Sequence, residues 1–375
     1  MLGLRQSAIK DSMTASCWNR LTAEQGSATP GRVLLLAPSR GLGGGIERYL
    51  ETLEWAIAKN GAACGRVDLP HTGLRGHMAM LADGRSALRA IPGPVRLVVG
   101  HMALLPVATL LASEPNVCGV WVVCHGCEVW SARFRPRRRL ERALMQRPDV
   151  HVIAVSSFTA GALALDCHSV TLPPALAQPW FEKLVAASGE PTTSGVQLAT
   201  AFRLAAWREK GLLELIDAIA SMGREDIQLI VCGGGEPSAD LLRVVADHAW
   251  CTLRVGLSDS ELARQLATAD IFVLATRTRS GRRFSGEGFG LVLLEAQVAG
   301  TPVIAPAYGG SKDAYVEGIT GISPVDETAG ALARVLDEML GDPARLSWMG
   351  KRAAEWARES FAPEHYAQLV ARKLL

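Results

Sequence analysis

No segment of the 375-residue sequence is both long and apolar enough to span a bilayer. The least charged stretch, Leu97 to Ala112, is broken by Gly100, His101 and Pro106 and falls short of the ~20 apolar residues a crossing helix needs. An excess of charge is lacking too. With 39 Lys and Arg against 37 Asp and Glu the net charge is +2, so no global field recruits nucleic acid or an acidic membrane, and any anion site must be local. The N-terminus carries Arg5, Lys10 and Asp11 without a continuous apolar run, so no secretory signal is visible and a cytoplasmic location is expected. Cysteine is sparse, and Cys17, Cys64, Cys118, Cys167, Cys232 and Cys251 are dispersed, as reduced thiols are. Cys124 and Cys127 form a CxxC, but no second pair completes a zinc site, and the motif ends a strand rather than opening a helix; neither a metal nor a redox role is expected. Repeats and low-complexity tracts are absent.

What is present is a large apolar fraction, 49% of residues with 20% charged, in a chain longer than one hydrophobic core sustains. Two domains are expected. Residues 1–30 mix Ser, Thr, Gly and charge without periodicity and read as a loose extension. From Arg32 onward short apolar runs (Arg32 to Pro38, Val95 to Val99, Val117 to Cys124, His151 to Val155) alternate with helical spacing such as Ile46 to Ala58, the pattern of a parallel sheet covered on both faces. Between Leu172 and Val196 prolines and glycines punctuate a polar segment, read as the domain junction. A second series follows: Val196 to Ala201, Gln228 to Val231, Thr252 to Val255, Ile271 to Leu274 and Pro302 to Ala305. The chain from about Thr328 is helical, with starts at Asp342-Pro343 and Ala362-Pro363. The predicted fold class is α/β, two Rossmann-like doubly wound domains facing across a cleft. They are placed at 31–180 and 181–355, and a C-terminal helix at about 356–375 is assigned to the first.

Ligands of open parallel sheets bind at the carboxyl ends of the strands, so the loops there carry the candidates. Gly41-Leu-Gly-Gly-Gly45-Ile46 fails as GxGxxG, and no segment fits GxxxxGK[ST]; what remains is a glycine turn into a helix N-terminus, able to approach an anion or merely to turn the chain. Gly288 to Gln297 is apolar on nearly every face, which predicts a buried helix. A carboxylate within it at Glu295 must be paired with an arginine or bound to ligand hydroxyls. On one helix Glu287 and Glu295 would lie roughly 12 Å apart along the axis. Arg203 and Lys210, after the strand Val196 to Ala201, offer a rigid fork and a mobile point charge, a pair suited to a diphosphate.

Those segments, GGGIERYL, HGCEVW, VSSFTA, FRLAAWREKG, LIVCGGGEP, EGFGLVLLEA with its E-x7-E spacing and TPVIAPAYGG, resemble in order the family 4 retaining glycosyltransferases of the GT-B fold, over about residues 32–325. The resemblance implies transfer of a sugar from a UDP- or GDP-sugar, held mainly by the C-terminal domain, to an acceptor hydroxyl with an α linkage; the acceptor itself is not identified. A nucleotide-sugar epimerase or phosphorylase on the same fold is the alternative. Residue by residue, Arg203 and Lys210 are similar to the pair that holds the diphosphate and stabilises the departing nucleotide, Glu287 to the carboxylate on donor-sugar hydroxyls, and Glu295 to the one gripping the ribose. Gly288, Phe289 and Gly290 would lend backbone N–H groups, Gly44 and Gly45 match the glycine loop near the phosphates, and His125 matches a histidine facing the donor sugar. Catalytic roles are thus implied for Arg203, Lys210, His125 and Glu287, and donor binding for the others. The sequence lacks Asp-x-Asp, the metal-chelating motif of the other large glycosyltransferase fold, so neither cofactor nor metal is expected. Nucleic acid is not an expected partner. The arginines from Arg133 to Arg147 read either as a solvated helix face or as a peripheral contact with the inner face of the membrane, and Arg277, Arg279, Arg282 and Arg283 lie close to the proposed donor site.

Overall fold

The computed structural model describes residues 31–38, 44–130, 136–189, 195–279 and 285–375. The extension read over residues 1–30, glycines 41 and 43, and arginines 133, 135, 282 and 283 lie outside the described residues. Strands β1 (Arg32–Ala37), β2 (Ala63–Asp68), β3 (Val95–Val99), β4 (Val117–Cys124), β5 (Val150–Ala154) and β6 (Ser169–Thr171) form one sheet in the order β2-β1-β3-β4-β5-β6. The second sheet takes β7 (Val196–Ala201), β8 (Ile227–Gly233), β9 (Cys251–Val255), β10 (Ile271–Val273), β11 (Val303–Ile304) and β12 (Gly321–Ile322) in the order β12-β11-β10-β7-β8-β9. Neighbouring strands pair in parallel throughout both sheets. Such strands are covered on both faces, and accordingly Val33 to Ala37 of β1 are all buried.

The first sheet is crossed by helices α1 (Gly45–Lys59), α2 (Leu74–Ala90), α3 (Leu105–Leu111), α4 (Cys127–Trp130), α5 (Pro136–Met145) and α6 (Ser157–Leu163). Then come α7 (Gln178–Ala187), α8 (Leu212–Ser221), α9 (Ala239–Ala246), α10 (Asp259–Ala267), α11 (Leu291–Ala299), α12 (Ala329–Leu340), α13 (Pro343–Ser360) and α14 (Pro363–Lys373). Strand order reverses between β1 and β3 in one sheet and between β7 and β10 in the other, the two places where a doubly wound sheet opens a crevice. Gly44 follows β1, Arg203 follows β7 and Thr276 follows β10, so the candidate loops leave the sheets at these crevices.

Helix α13 packs on α11 in the second-sheet half, whereas α14 packs on α1 in the first. Asn60 Nδ2 donates to the carbonyl of Ala367 at 2.8 Å and Lys373 Nζ to that of Thr171 at 2.6 Å, tying the chain end back to the first sheet. The proline at the first position of each helix supplies a start that needs no N–H.

Three differences from the sequence reading have local causes. Helix α7 stands inside the proline-rich segment read as a plain junction, because Pro179 falls in its first turn, where proline is compatible with a helix. Helix α11 begins at Leu291 rather than Gly288: Gly290 takes a left-handed conformation, φ 85°, that a continuing helix forbids, and this leaves Glu287 in a loop. The basic stretch after β4 is not one solvated face. Arg138 is 4% exposed and places Nη2 2.7 Å from Asp166 Oδ2, while Arg142 reaches the other oxygen of the same carboxylate at 2.5 Å. Arg147 pairs with Asp149 at 2.8 Å, and Arg139 remains exposed. Among the described residues no helix is long and apolar enough to cross a membrane.

Candidate active site

Gly44 caps the N-terminus of α1 at φ 109°, and a Cβ built there would stand 3.1 Å from Cδ of Arg203. The arginine after β7 of the second sheet thus lies against the glycine that opens the first helix of the other half, at a helix end whose free N–H groups favour an anion. Gly45 beside it is exposed and has no atom within 4 Å of its missing Cβ, so packing does not demand glycine there.

Lys210 is positioned by Gly211. That residue adopts φ 71° and passes so near the carbonyl of Ala275 that a side chain would overlap it, which brings the end of the β7 loop against the end of β10. Lys210 Nζ then reaches Glu287 Oε2 at 2.7 Å, and Thr276 Oγ1 donates to the same oxygen at 3.0 Å. The pair is partly buried, at 26% and 14% side-chain exposure, so solvent screens it only in part.

The loop from Glu287 to Gly290 is walled by both halves. A Cβ on Gly288 would overlap the carbonyl oxygen of His125, and one on Gly310 would overlap the carbonyl oxygen of Gly288. Gly310 N donates to the carbonyl of Glu287 at 2.7 Å, and Cys127 Sγ lies 3.5 Å from the carbonyl of Gly286. Phe289 is 3% exposed and meets Phe361 edge-on at 6.0 Å between centroids; its ring is core and only its backbone faces the loop. His125 Nε2 sits 2.8 Å from the carbonyl of Gly100, which requires the proton on Nε2 and leaves Nδ1 as an acceptor in the neutral ring. Its backbone N–H donates to Glu128, Tyr49 meets its ring edge-on at 5.3 Å, and burial holds its pKa below the ordinary value against the opposing pull of Glu128.

Glu295 stands apart from this group, inside α11 at 4% exposure. Its Oε1 accepts from Trp180 Nε1 of α7 at 3.0 Å and lies 3.7 Å from Nε of Arg48 in α1. Neither Trp180 nor Arg48 was singled out from sequence; the signal available was the buried carboxylate itself, which demanded a partner without saying which. In the second arginine cluster Arg277 bonds Glu214 and lies 4.0 Å from Glu327, which ties it to neighbouring acids. Among the sites predicted from sequence, Gly44 thus meets Arg203, Lys210 meets Glu287 and His125 meets Gly288, while Glu295 lies apart with Trp180 and Arg48.

Residues 202–356 match the family model described as glycosyl transferases group 1. The chain is 31% identical over 297 residues to a GDP-mannose-dependent alpha-(1-6)-phosphatidylinositol monomannoside mannosyltransferase of Mycobacterium tuberculosis, covering 71% of this chain and 76% of that one. A GDP-mannose-dependent monoacylated alpha-(1-6)-phosphatidylinositol monomannoside mannosyltransferase of Corynebacterium glutamicum is 36% identical over 158 residues, and the chain spans only 41% of that relative's length. Among solved structures, sucrose-phosphate synthase from Thermosynechococcus elongatus superposes with a TM-score of 0.75 at 20% identity, over 91% of this chain and 98% of that one. Anabaena HepE in complex with UDP-glucose gives 0.69 at 16% identity, over 91% and 99%. These likenesses establish the two-sheet GT-B architecture, and with the match along three quarters of the mycobacterial relative, the chain belongs to the group 1 glycosyl transferases.

Proposed function

We propose that the protein is a retaining transferase of the E-x7-E, family 4 type that moves mannose from GDP-mannose to a hydroxyl of a phosphatidylinositol mannoside-like acceptor, forming an α linkage. The observation that carries the reading is the convergence of Arg203 on Gly44 and of Lys210 on Glu287, which puts two cations and a helix N-terminus at the crevices of both sheets. In this reading residues 31–180 with the helix at about 356–375 serve the acceptor, and 181–355 serve the donor. The choice of guanine and mannose leans on the names of the relatives at 31% and 36% identity.

The donor diphosphate would lie between Arg203, Lys210 and the start of α1. Lys210 and Glu287 hold each other at 2.7 Å; a bound donor would draw the ammonium to phosphate and the carboxylate to sugar hydroxyls. As the bond from the anomeric carbon to the phosphate oxygen breaks, the acceptor oxygen bonds the same face of that carbon and its proton passes to the departing phosphate. Negative charge grows on the diphosphate in that step, where Arg203 and Lys210 meet it. His125 and the backbone of Gly288 would border the sugar.

Incubating the full chain with GDP-mannose or UDP-glucose and a phosphatidylinositol mannoside acceptor tests this. Acceptor-dependent release of GDP with an α-configured product is expected. A β product would remove retention, and sugar isomerisation without acceptor would favour the epimerase alternative.

A further inference from the structure

A second polar cluster sits where α1 of the first-sheet half meets α10 and α11 of the second, one turn into α1 from Gly44. Arg48 of α1 places Nη2 3.2 Å from Asp259 Oδ1 at the start of α10 and Nε 3.7 Å from Glu295 Oε1 in α11. Its guanidinium lies 4.6 Å over the ring of Trp180, whose Nε1 donates to the same Glu295 oxygen at 3.0 Å. Asp259 is held from its other side by Lys183 at 3.3 Å. Glu295 Oε1 thus receives two groups, one of them from the opposite half, whereas Oε2 accepts no hydrogen bond from the described residues.

Burying a carboxylate to 4% exposure is costly unless an opposite charge and hydrogen-bond donors stand beside it. Here the arginine is lent by the other half of the molecule. The arrangement also favours one orientation: the indole bond and the guanidinium are both on Oε1, so turning the carboxylate gives up the Trp180 bond, and Oε2 is the oxygen left for a ligand hydroxyl in the proposed site. Asp259 keeps the fork in place from the solvent side, where it is 44% exposed.

We infer that Arg48 is a positioning residue that completes the nucleotide ribose site across the two halves, acting through Glu295, so that the diol is recognised at full strength only when α1 is seated against α10 and α11. The inference rests on the proposed assignment of Glu295 to the ribose and extends it to a residue of the half assigned to the acceptor. A structural tie between the halves would affect stability alone; a positioning residue would change which nucleotide is preferred.

The experiment uses the full chain and measures by calorimetry the affinity of GDP, UDP and their 2′-deoxy counterparts for the wild type, Arg48→Ala, Arg48→Lys and Asp259→Asn. Removing one hydrogen bond to a charged group weakens binding by about tenfold or more, so the wild type is expected to prefer its ribonucleotide over the deoxy form by at least that ratio. Arg48→Ala should reduce the preference to about twofold, Arg48→Lys should restore part of it, and Asp259→Asn, at an exposed position, should lower it by an intermediate amount. An unaltered preference in folded Arg48→Ala, or in Asp259→Asn and Arg48→Lys together where the alanine variant does not fold, overturns the inference. Wild-type binding without any ribose preference overturns it too while leaving the transferase reading in place; absence of binding by all four nucleotides removes both.

Discussion

Gly288 and His125 meet backbone to backbone: no side chain fits on the glycine because the carbonyl oxygen of His125 occupies the place of its Cβ. The contact joins the loop that carries Glu287 to the end of β4, so a residue of each half sets the position of the other. Gly288→Ala must push the two segments apart. An overpacking cost of about 1–3 kcal/mol is expected, with a larger loss of turnover than of stability, because the Glu287 loop is what moves. A thermal melt alongside a transfer assay checks this, and an alanine variant with wild-type turnover would contradict it.

Gly45 provides the contrast. Its missing Cβ meets nothing within 4 Å, and alanine in the first turn of α1 favours the helix by up to ~1 kcal/mol. Gly45→Ala is expected to melt at or above the wild-type temperature and yet to bind nucleotide more weakly, since in the proposed site the methyl group would stand where the phosphate approaches. Unchanged nucleotide affinity would show that the glycine serves the turn alone.

In the proposed transfer, charge growing on the departing diphosphate would distinguish Lys210 from Glu295. Lys210→Ala is expected to lower kcat by about 10² to 10³, the scale of one preorganised donor, and Arg203→Ala to resemble it, with the double variant short of additive. Glu295→Gln should mainly raise KM for the donor, as loss of uniform binding does. Steady-state kinetics decide; an unchanged kcat in folded Lys210→Ala would leave the lysine as a tether.

Turnover should survive EDTA, because the reading assigns the diphosphate charge to Arg203, Lys210 and the start of α1. Complete loss restored by Mg²⁺ or Mn²⁺ would assign that role to an ion instead.

Burial lowers the His125 pKa from its ordinary value near 6.5, with the Glu128 carboxylate opposing. The unfolded chain therefore takes up a proton below about pH 6.5 that the folded chain still refuses, so this contribution to stability is present above that pH and is lost as the pH falls toward the folded value. Melting temperatures of the wild type and His125→Gln at pH 7.5 and 5.5 should show the steeper acid loss in the wild type. Equal losses would mean that the histidine does not resist protonation.

Much of the architecture was legible because local physics decides it. Runs such as Val95 to Val99, Val117 to Cys124 and Val196 to Ala201 are mostly apolar without strict alternation and coincide with β3, β4 and β7. Strands β2, β6 and β12 were not legible: β2, ACGRVD, is a polar edge strand, and β6 and β12 are three and two residues long, too short to show a period. The composition of EGFGLVLLEA announced a buried segment, but the left-handed turn at Gly290 moved the helix start past Glu287, and the rotation of one glycine's backbone has no signature in periodicity.

The sequence by itself determined the α/β class, the central strands of the two series and the residue types at their ends, since burial pattern, glycine and proline act within a few positions along the chain. Tertiary structure alone decided the partners: Arg48 and Trp180 on Glu295, Gly44 under Arg203, Asp166 between Arg138 and Arg142. Charges and hydrogen bonds act over a few ångströms in space, and which residues come that close follows from how the two sheets are seated, not from their spacing in the chain.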